Sequence, residues 1–269
     1  MKDKKILVLD LDGTLLNSEK KISPRTFDAL MHIQQEGHRI MLASGRPTPG
    51  VRRFADILHL ADYDGLMLTF NGAQIIRCET KEVVYSQTIP PHTIPEIIDF
   101  ANEHDCGLIT YDGDEAICGT RITDYVALEV RINQIAIRQV SPFLPAINFP
   151  CNKFLMTAEP ADAEKYVEIL GQKFADSLSI YRSEPFFVEI MPKGVDKASA
   201  IDHLLQAEGL TKENVICCGD GFNDISMIKY AGVGVAMANA QPVVKEAADF
   251  ITGSCDEDGL VTVIQKYIL

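Results

Sequence analysis

Two aspartates, Asp10 and Asp12, close an apolar run in "KKILVLDLDGTLL". If the strand runs on through Asp12, both side chains point to one face, since strand side chains alternate. Carboxylates that close repel, and burial raises the cost. A divalent cation with oxygen ligands is the obvious remedy. Further oxygen donors stand in "GDGFND", which carries Asp220, Asn223 and Asp224. Other groups suit an anion. Gly13-Thr14 turns the chain and exposes backbone N–H groups, Ser44 offers a hydroxyl, Gly45 a close backbone approach and Lys197 a cation. A cation beside an anion pocket is the composition of a phosphate site.

These residues need elements to hold them. "KKILVLD", "HRIMLASGR" and "DGLMLTFNGA" read as short apolar strands. Between them "SPRTFDALMHIQQEG" reads as a helix with Ser23 as N-cap and Pro24 in its first turn, and "TPGVRRFADILHL" as a second helix. Strand and helix alternate again in "DKASAIDHLLQAEG", "NVICCGDG", "NDISMIKYAG", "VGVAM", "AQPVVKEAA" and "GLVTVIQKYIL". This is the pattern of a parallel sheet with crossover helices, in which ligands gather at the carboxyl ends of the strands. Asp10, Ser44, Asn71 and Asp220 all fall at such ends. Residues 84–186 differ in texture, with more proline and mixed short elements. The expected organisation is therefore an α/β, Rossmann-like parallel-sheet core over 1–83 and 187–269, with an inserted α+β domain over 84–186.

Composition narrows the function. The 269-residue chain carries a formal net charge of −13, which argues against nucleic acid or an anionic membrane as partner. No apolar stretch is long enough to span a bilayer. The seven cysteines form no CxxC or zinc spacing, and no signal-peptide pattern is read at the start, so a cytoplasmic location is expected.

"DLDGT" (10–14), "ASGR" (43–46), "DK" (196–197) and "GDGFND" (219–224) resemble, in order, the four motifs of the haloacid dehalogenase superfamily. Only residues 13–43 separate Asp12 from Ser44, too few for an extra domain, whereas residues 45–196 leave room for one. That placement, with "NGA" at 71–73, "EIMPKGVDK" and the stretch "GVGVAMANA", looks like the Cof-type sugar phosphatases with a type IIB α+β cap.

The resemblance implies Asp10 as nucleophile, forming an aspartyl-phosphate, and Asp12 as general acid and then base. It implies Mg²⁺ held by Asp10, Asp12 through its carbonyl, Asp220 and Asp224, the last with Asn223 through water or phosphate. Ser44, the Gly45 and Leu11 N–H groups and Lys197 would cradle the phosphoryl oxygens, with Asn223 beside them. Arg46, Asn71, Tyr111 and Asp112 are candidates for substrate contact, the last two in a loop "TYDGDE" (110–115) that could equally be a hairpin turn. The expected activity is Mg²⁺-dependent hydrolysis of small phosphorylated metabolites, sugar phosphates foremost, under a cap that closes and excludes water. The alternatives are a phosphosugar mutase of the same superfamily and a non-catalytic phosphometabolite sensor.

Overall fold

A computed structural model describes residues 4–269 of the chain. The chain runs β1 (Ile6–Leu9), α1 (Pro24–Gln35), β2 (Arg39–Ala43), α2 (Thr48–Ile57), β3 (Leu66–Thr69), β4 (Gln74–Arg77) and β5 (Val83–Ser86). Then come α3 (Ile94–Glu103), β6 (Gly107–Asp112), β7 (Glu115–Cys118), α4 (Asp124–Asn133), β8 (Ala136–Gln139), α5 (Phe143–Ala146), β9 (Phe154–Thr157), α6 (Pro160–Lys173), β10 (Leu178–Glu184) and β11 (Phe187–Pro192). It finishes with α7 (Lys197–Glu208), β12 (Val215–Gly219), α8 (Ile225–Tyr230), β13 (Val233–Ala236), α9 (Pro242–Glu246), β14 (Phe250–Ile251) and α10 (Gly259–Tyr267). None of these helices is long and apolar enough to cross a membrane.

Two compact units result. The first holds the described residues up to Gly45, then 51–85 and 196–269. Its sheet has the order β14-β13-β12-β1-β2-β3-β4-β5. The strands from β14 to β3 pair in parallel, and β4 returns antiparallel to β3. The run "ILVL" looks uniformly apolar because both of its faces are covered. Leu7 and Leu9 pack with Leu30 and Ile33 of α1, Val51 of α2 and Val263 and Ile264 of α10. Ile6 and Val8 pack on the other side with Ala200, Ile201 and Leu204 of α7 and Met227 of α8. Burial of each such side chain contributes roughly 1.5–3 kcal/mol.

The helices start where their capping chemistry says. Ser23 accepts from the Thr26 N–H with Pro24 in the first turn, and Asp196 accepts from the Ser199 N–H to open α7. Gly209 closes α7 in the left-handed region, φ +67°. The amino end of the sheet carries an ionic network: Arg39 Nη1 lies 2.5 Å from Glu208 Oε2 and its Nε 3.0 Å from Asp64 Oδ2. Arg77 Nη2 lies 3.0 Å from Glu208 Oε1 and also pairs with Asp64.

The second unit comprises 46–50 and 86–195. Its sheet order is β10-β11-β9-β6-β7-β8, antiparallel except for the parallel β7/β8 pair. One face, with Leu108, Phe154, Met156, Val188 and Ile190, packs on Ile94, Ile97 and Ala101 of α3 and Ala163 and Leu170 of α6. Elsewhere the unit buries polar pairs. Lys153 Nζ lies 2.6 Å from Glu189 Oε2, and Tyr111 OH donates to Glu129 Oε1 at 2.8 Å.

The expected boundaries of 84–186 need correction to 86 and 195, and residues 46–50, expected in the core, fall in the second unit. Phe187–Pro192 is the strand between β10 and β9, hydrogen-bonded to both, so it belongs to the second sheet. Val83, Val84 and Tyr85 belong to the first unit as part of β5.

Candidate active site

Four loops at the carboxyl ends of parallel strands supply the site. The strand β1 ends at Leu9, one residue before Asp10. The chain then turns at once: the Leu15 N–H donates to Asp10 O at 3.1 Å and the Leu16 N–H to Leu11 O at 2.8 Å. The expectation that Asp10 and Asp12 share one strand face is therefore wrong. Asp10 is buried, while the Asp12 side chain is 39% exposed and pairs with Lys20 Nζ at 2.8 Å. Leu11 between them is fully buried and anchors the turn in the core.

Lys197 is the hub. Its side chain is wholly buried, and Nζ donates to Asp10 Oδ1 at 2.7 Å, Asp224 Oδ1 at 2.6 Å and Ala43 O at 2.8 Å. Its position comes from the first turn of α7 and from a tight neighbour. Gly72, φ +107°, lies so close to Asp196 that any side chain there would run into the Asp196 carbonyl.

Ser44 follows β2 and is buried. Its N–H donates to Leu68 O at 2.9 Å and its carbonyl accepts from the Asn71 N–H at 3.0 Å. The Asn71 amide oxygen accepts from Asn223 Nδ2 at 2.9 Å and packs against Gly45, where a Cβ would sit 2.8 Å away. Asn71 thus joins the Ser44 loop to the "GDGFND" loop. Asp224 Oδ2 accepts from the Asp220 and Gly221 N–H groups at 3.0 and 2.9 Å. Asp220 Oδ1 accepts from the Thr14 hydroxyl at 2.9 Å.

Asp10, Asp220 and Asp224 each place a carboxylate oxygen within 4.8 Å of the others. The Asp12 side chain is outside this group. Burial, and then the Asp224 charge, push Asp10 up to about 8, against the pull of Lys197. Burial pushes Asp220 up to about 6, against the Thr14 hydrogen bond. Burial works against the Lys197 charge, but Asp10 and Asp224 outweigh it and hold the ammonium above its ordinary value. When all three carboxylates are ionised they outnumber the one ammonium by two charges. A divalent cation with hard oxygen ligands supplies that charge, and it favours the charged forms that burial opposes. The donor set fits such an ion.

Sequence reading missed Thr14 as a donor to Asp220 and Ala43 as an acceptor for Lys197. The first was legible, because a hydroxyl just after an Asp-rich strand end is an obvious donor; a backbone carbonyl carries no residue-type signal. The other expected contacts lie in the second unit. Arg46 is half-buried there, and its charge reaches Glu129. Tyr111 is not in a loop but on β6, buried against Glu129. Only Gly113-Asp114 form the turn between β6 and β7, with Gly113 at φ +55°. Asp112 is exposed, opposite Glu115, and 3.8 Å from Arg138 Nη2. A cleft of about 720 Å³ lined by Gln34, Arg39, Tyr63, Asp64 and Glu79 lies at the opposite, amino end of the strands and contains none of the site residues.

Comparison with known proteins agrees with this geometry. The signature of the haloacid dehalogenase-like hydrolase family matches residues 7–264. The 5-amino-6-(5-phospho-D-ribitylamino)uracil phosphatase YcsE of Bacillus subtilis is 31% identical over 99% of this chain and 97% of its own. The crystal structure of a haloacid dehalogenase-like hydrolase from Bacteroides thetaiotaomicron is 42% identical with a TM-score of 0.94, covering 98% of this chain and 99% of that one. The haloacid dehalogenase subclass IIB sugar phosphatase BT4131 is 27% identical with a TM-score of 0.80, over 98% and 99% of the two chains. A match that spans nearly the whole chain carries the buried lysine, the carboxylates around it and the second α+β unit together, so the chain belongs to the haloacid dehalogenase superfamily, in its Cof-type phosphatase branch.

Proposed function

We propose that the protein hydrolyses phosphate monoesters of small hydroxylated metabolites, sugar phosphates foremost, with Mg²⁺ and through an aspartyl-phosphate on Asp10. The observation that supports this most is the buried Lys197, bonded at once to Asp10 and Asp224 with Asp220 in the same group. Asp10, Asp220 and Asp224, with the Asp12 carbonyl, are the groups to hold the cation. When bound, Mg²⁺ neutralises phosphoryl charge and keeps the carboxylates ionised.

The chemistry falls to the chain's own groups. Lys197 holds Oδ1 of Asp10, so Oδ2 attacks phosphorus as the ester P–O bond breaks. Asp12, half-exposed and with its side chain outside the carboxylate group, gives its proton to the leaving oxygen. The cation and Lys197 would hold Asp10 in the charged form a nucleophile needs, against the burial that opposes it, and Asp12, whose side chain stands outside the cation's carboxylates, is left to carry the proton. Water then attacks the phosphorus of the acyl phosphate, Asp12 takes its proton, and Asp10 is released with inorganic phosphate. Ser44, the Leu11 and Gly45 N–H groups and Lys197 orient the phosphoryl oxygens, with Asn223 in support.

The sugar preference draws on the relatives. YcsE acts on a phosphorylated ribityl compound and BT4131 is a sugar phosphatase, as their names state. The test is phosphate release from a panel of sugar, polyol, nucleotide and pyridoxal phosphates, with EDTA and Mg²⁺ arms. Sugar phosphates ranking first by kcat/KM, abolished by EDTA and restored by Mg²⁺, is the expected result. Full turnover in metal-free buffer would overturn the cation assignment. Turnover only with an added sugar bisphosphate would indicate a mutase.

A further inference from the structure

The stretch "MANA" (237–240) follows β13 at the carboxyl end of the strands, as the site does, and none of the four motifs includes it. Its turn leans on the backbone of Gly219 and Asp220: the Met237 N–H donates to Gly219 O at 3.1 Å and the Gln241 N–H to Asp220 O at 3.4 Å. The Ala238 N–H donates to Gly253 O at 3.2 Å. Asn239, in the middle of this turn, uses both ends of its amide. Oδ1 accepts from the Cys255 N–H at 3.0 Å. Only an oxygen can answer that donor, so the bond fixes which way the amide faces. Its NH₂ group then points to Gly13 O, 2.8 Å away, and to Asp220 Oδ2 at a longer 3.4 Å.

Asp220 is thereby held from three sides. Thr14 donates to one oxygen and Asn239 to the other. Gly13, φ +83°, closes the third side, because any side chain there would run into the same carboxylate. We infer that Asn239 is a positioning residue for Asp220. It orients that carboxylate as a cation ligand and ties the 10–14, 219–224 and 253–257 loops into one frame. The inference rests on the reading of Asp220 as a Mg²⁺ ligand. Groups that orient metal ligands are commonly worth 10- to 100-fold in metal affinity.

The test is isothermal titration of the full chain with Mg²⁺, comparing wild type with Asn239→Ala and Asn239→Ser, beside metal-free thermal unfolding and activity as a function of Mg²⁺. Serine is too short to span both partners but keeps the exposed turn polar. The expected result is a Mg²⁺ dissociation constant raised about 10- to 100-fold in both variants. Activity lost at low Mg²⁺ should recover at saturating Mg²⁺. An unchanged dissociation constant would overturn the inference. So would a loss of activity that saturating Mg²⁺ does not restore, since that would make Asn239 a support for the fold alone. Wild type that binds no Mg²⁺ would instead overturn the reading of Asp220 itself. If alanine prevents folding, the serine variant decides.

Discussion

Asp10 and Asp12 are the same residue type two positions apart, yet they live in different surroundings. Asp10 is buried against Lys197; Asp12 is partly solvated beside Lys20. Asp10→Asn removes the proposed nucleophile while keeping its shape, so turnover should vanish while substrate binding, read by competition or calorimetry, persists. Asp12→Asn removes the proposed proton donor, a role worth roughly 10²- to 10⁴-fold. A sugar phosphate, with its basic leaving oxygen, should lose most of that factor. p-Nitrophenyl phosphate should lose far less, because nitrophenolate leaves without a proton. Compared as kcat/KM, which leaves out the water step that both substrates share, equal losses would rule out the acid role for Asp12. The paired spacing announced chemistry, but the environments did not show in it: the strand stops at Leu9, and the turn that parts the two side chains is set by backbone bonds from Leu15 and Leu16.

Among the elements, helices and parallel strands were legible because local and global signals agreed. Ser23-Pro24 opens α1, Gly209 closes α7, and four-residue apolar runs make the central strands. The antiparallel β4 and the neighbouring β5 were not legible, since "QIIR" and "VVYS" are too short and mixed to stand out. One contact between elements carries a testable pH dependence. Burial pushes Glu208 up, but Arg39 and Arg77 outweigh it and hold the carboxyl below its ordinary value of 4.5. A carboxyl lowered by folding contributes stability that is present above its unfolded pKa and lost as pH falls through the folded one. Glu208→Gln should therefore cost about 1–2 kcal/mol at pH 7. That gap should narrow as pH falls below 4.5. Urea unfolding of both proteins at pH 7 and near pH 3.5 measures it. A gap that stays constant would show that the ion pairs contribute nothing through charge.

Over the whole molecule, two units were foreseen but one boundary slipped by nine residues. "FFVEIMP" reads like any core strand, and only its pairing with β10 and β9 reveals which sheet it joins. Strand partners are a long-range property that no local pattern encodes. The division predicts that phosphoryl transfer and substrate choice are separable by mutation. Asp112, exposed at the end of β6, is one of the expected substrate contacts in the second unit. Asp112→Ala should lower kcat/KM on a good sugar phosphate by about 1–3 kcal/mol, the cost of one lost polar contact. p-Nitrophenyl phosphate, with little remote binding energy to lose, should stay within about tenfold. An unchanged ranking among sugar phosphates would remove Asp112 from the recognition surface. Tyr111 is a poor choice for this experiment, since its bond to Glu129 makes it part of the unit's interior.

The central strand β1 is flanked by β2 on one side and β12 on the other, so Ile6 finds its neighbour at Val215. During synthesis that partner emerges long after β1 does. At about 5–20 residues per second the wait is on the order of 10–40 s. Through this interval the nascent sheet has an apolar strand with one edge unmatched, the kind of surface that recruits wrong partners. The second unit, whose strands all pair within 86–195, faces no such delay and can mature while β1 waits. Lys197, Asp220 and Asp224 arrive on the same late stretch as β12, so on the proposed reading the incomplete chain would lack both its lysine and its cation ligands until the strand that pairs with β1 has left the ribosome.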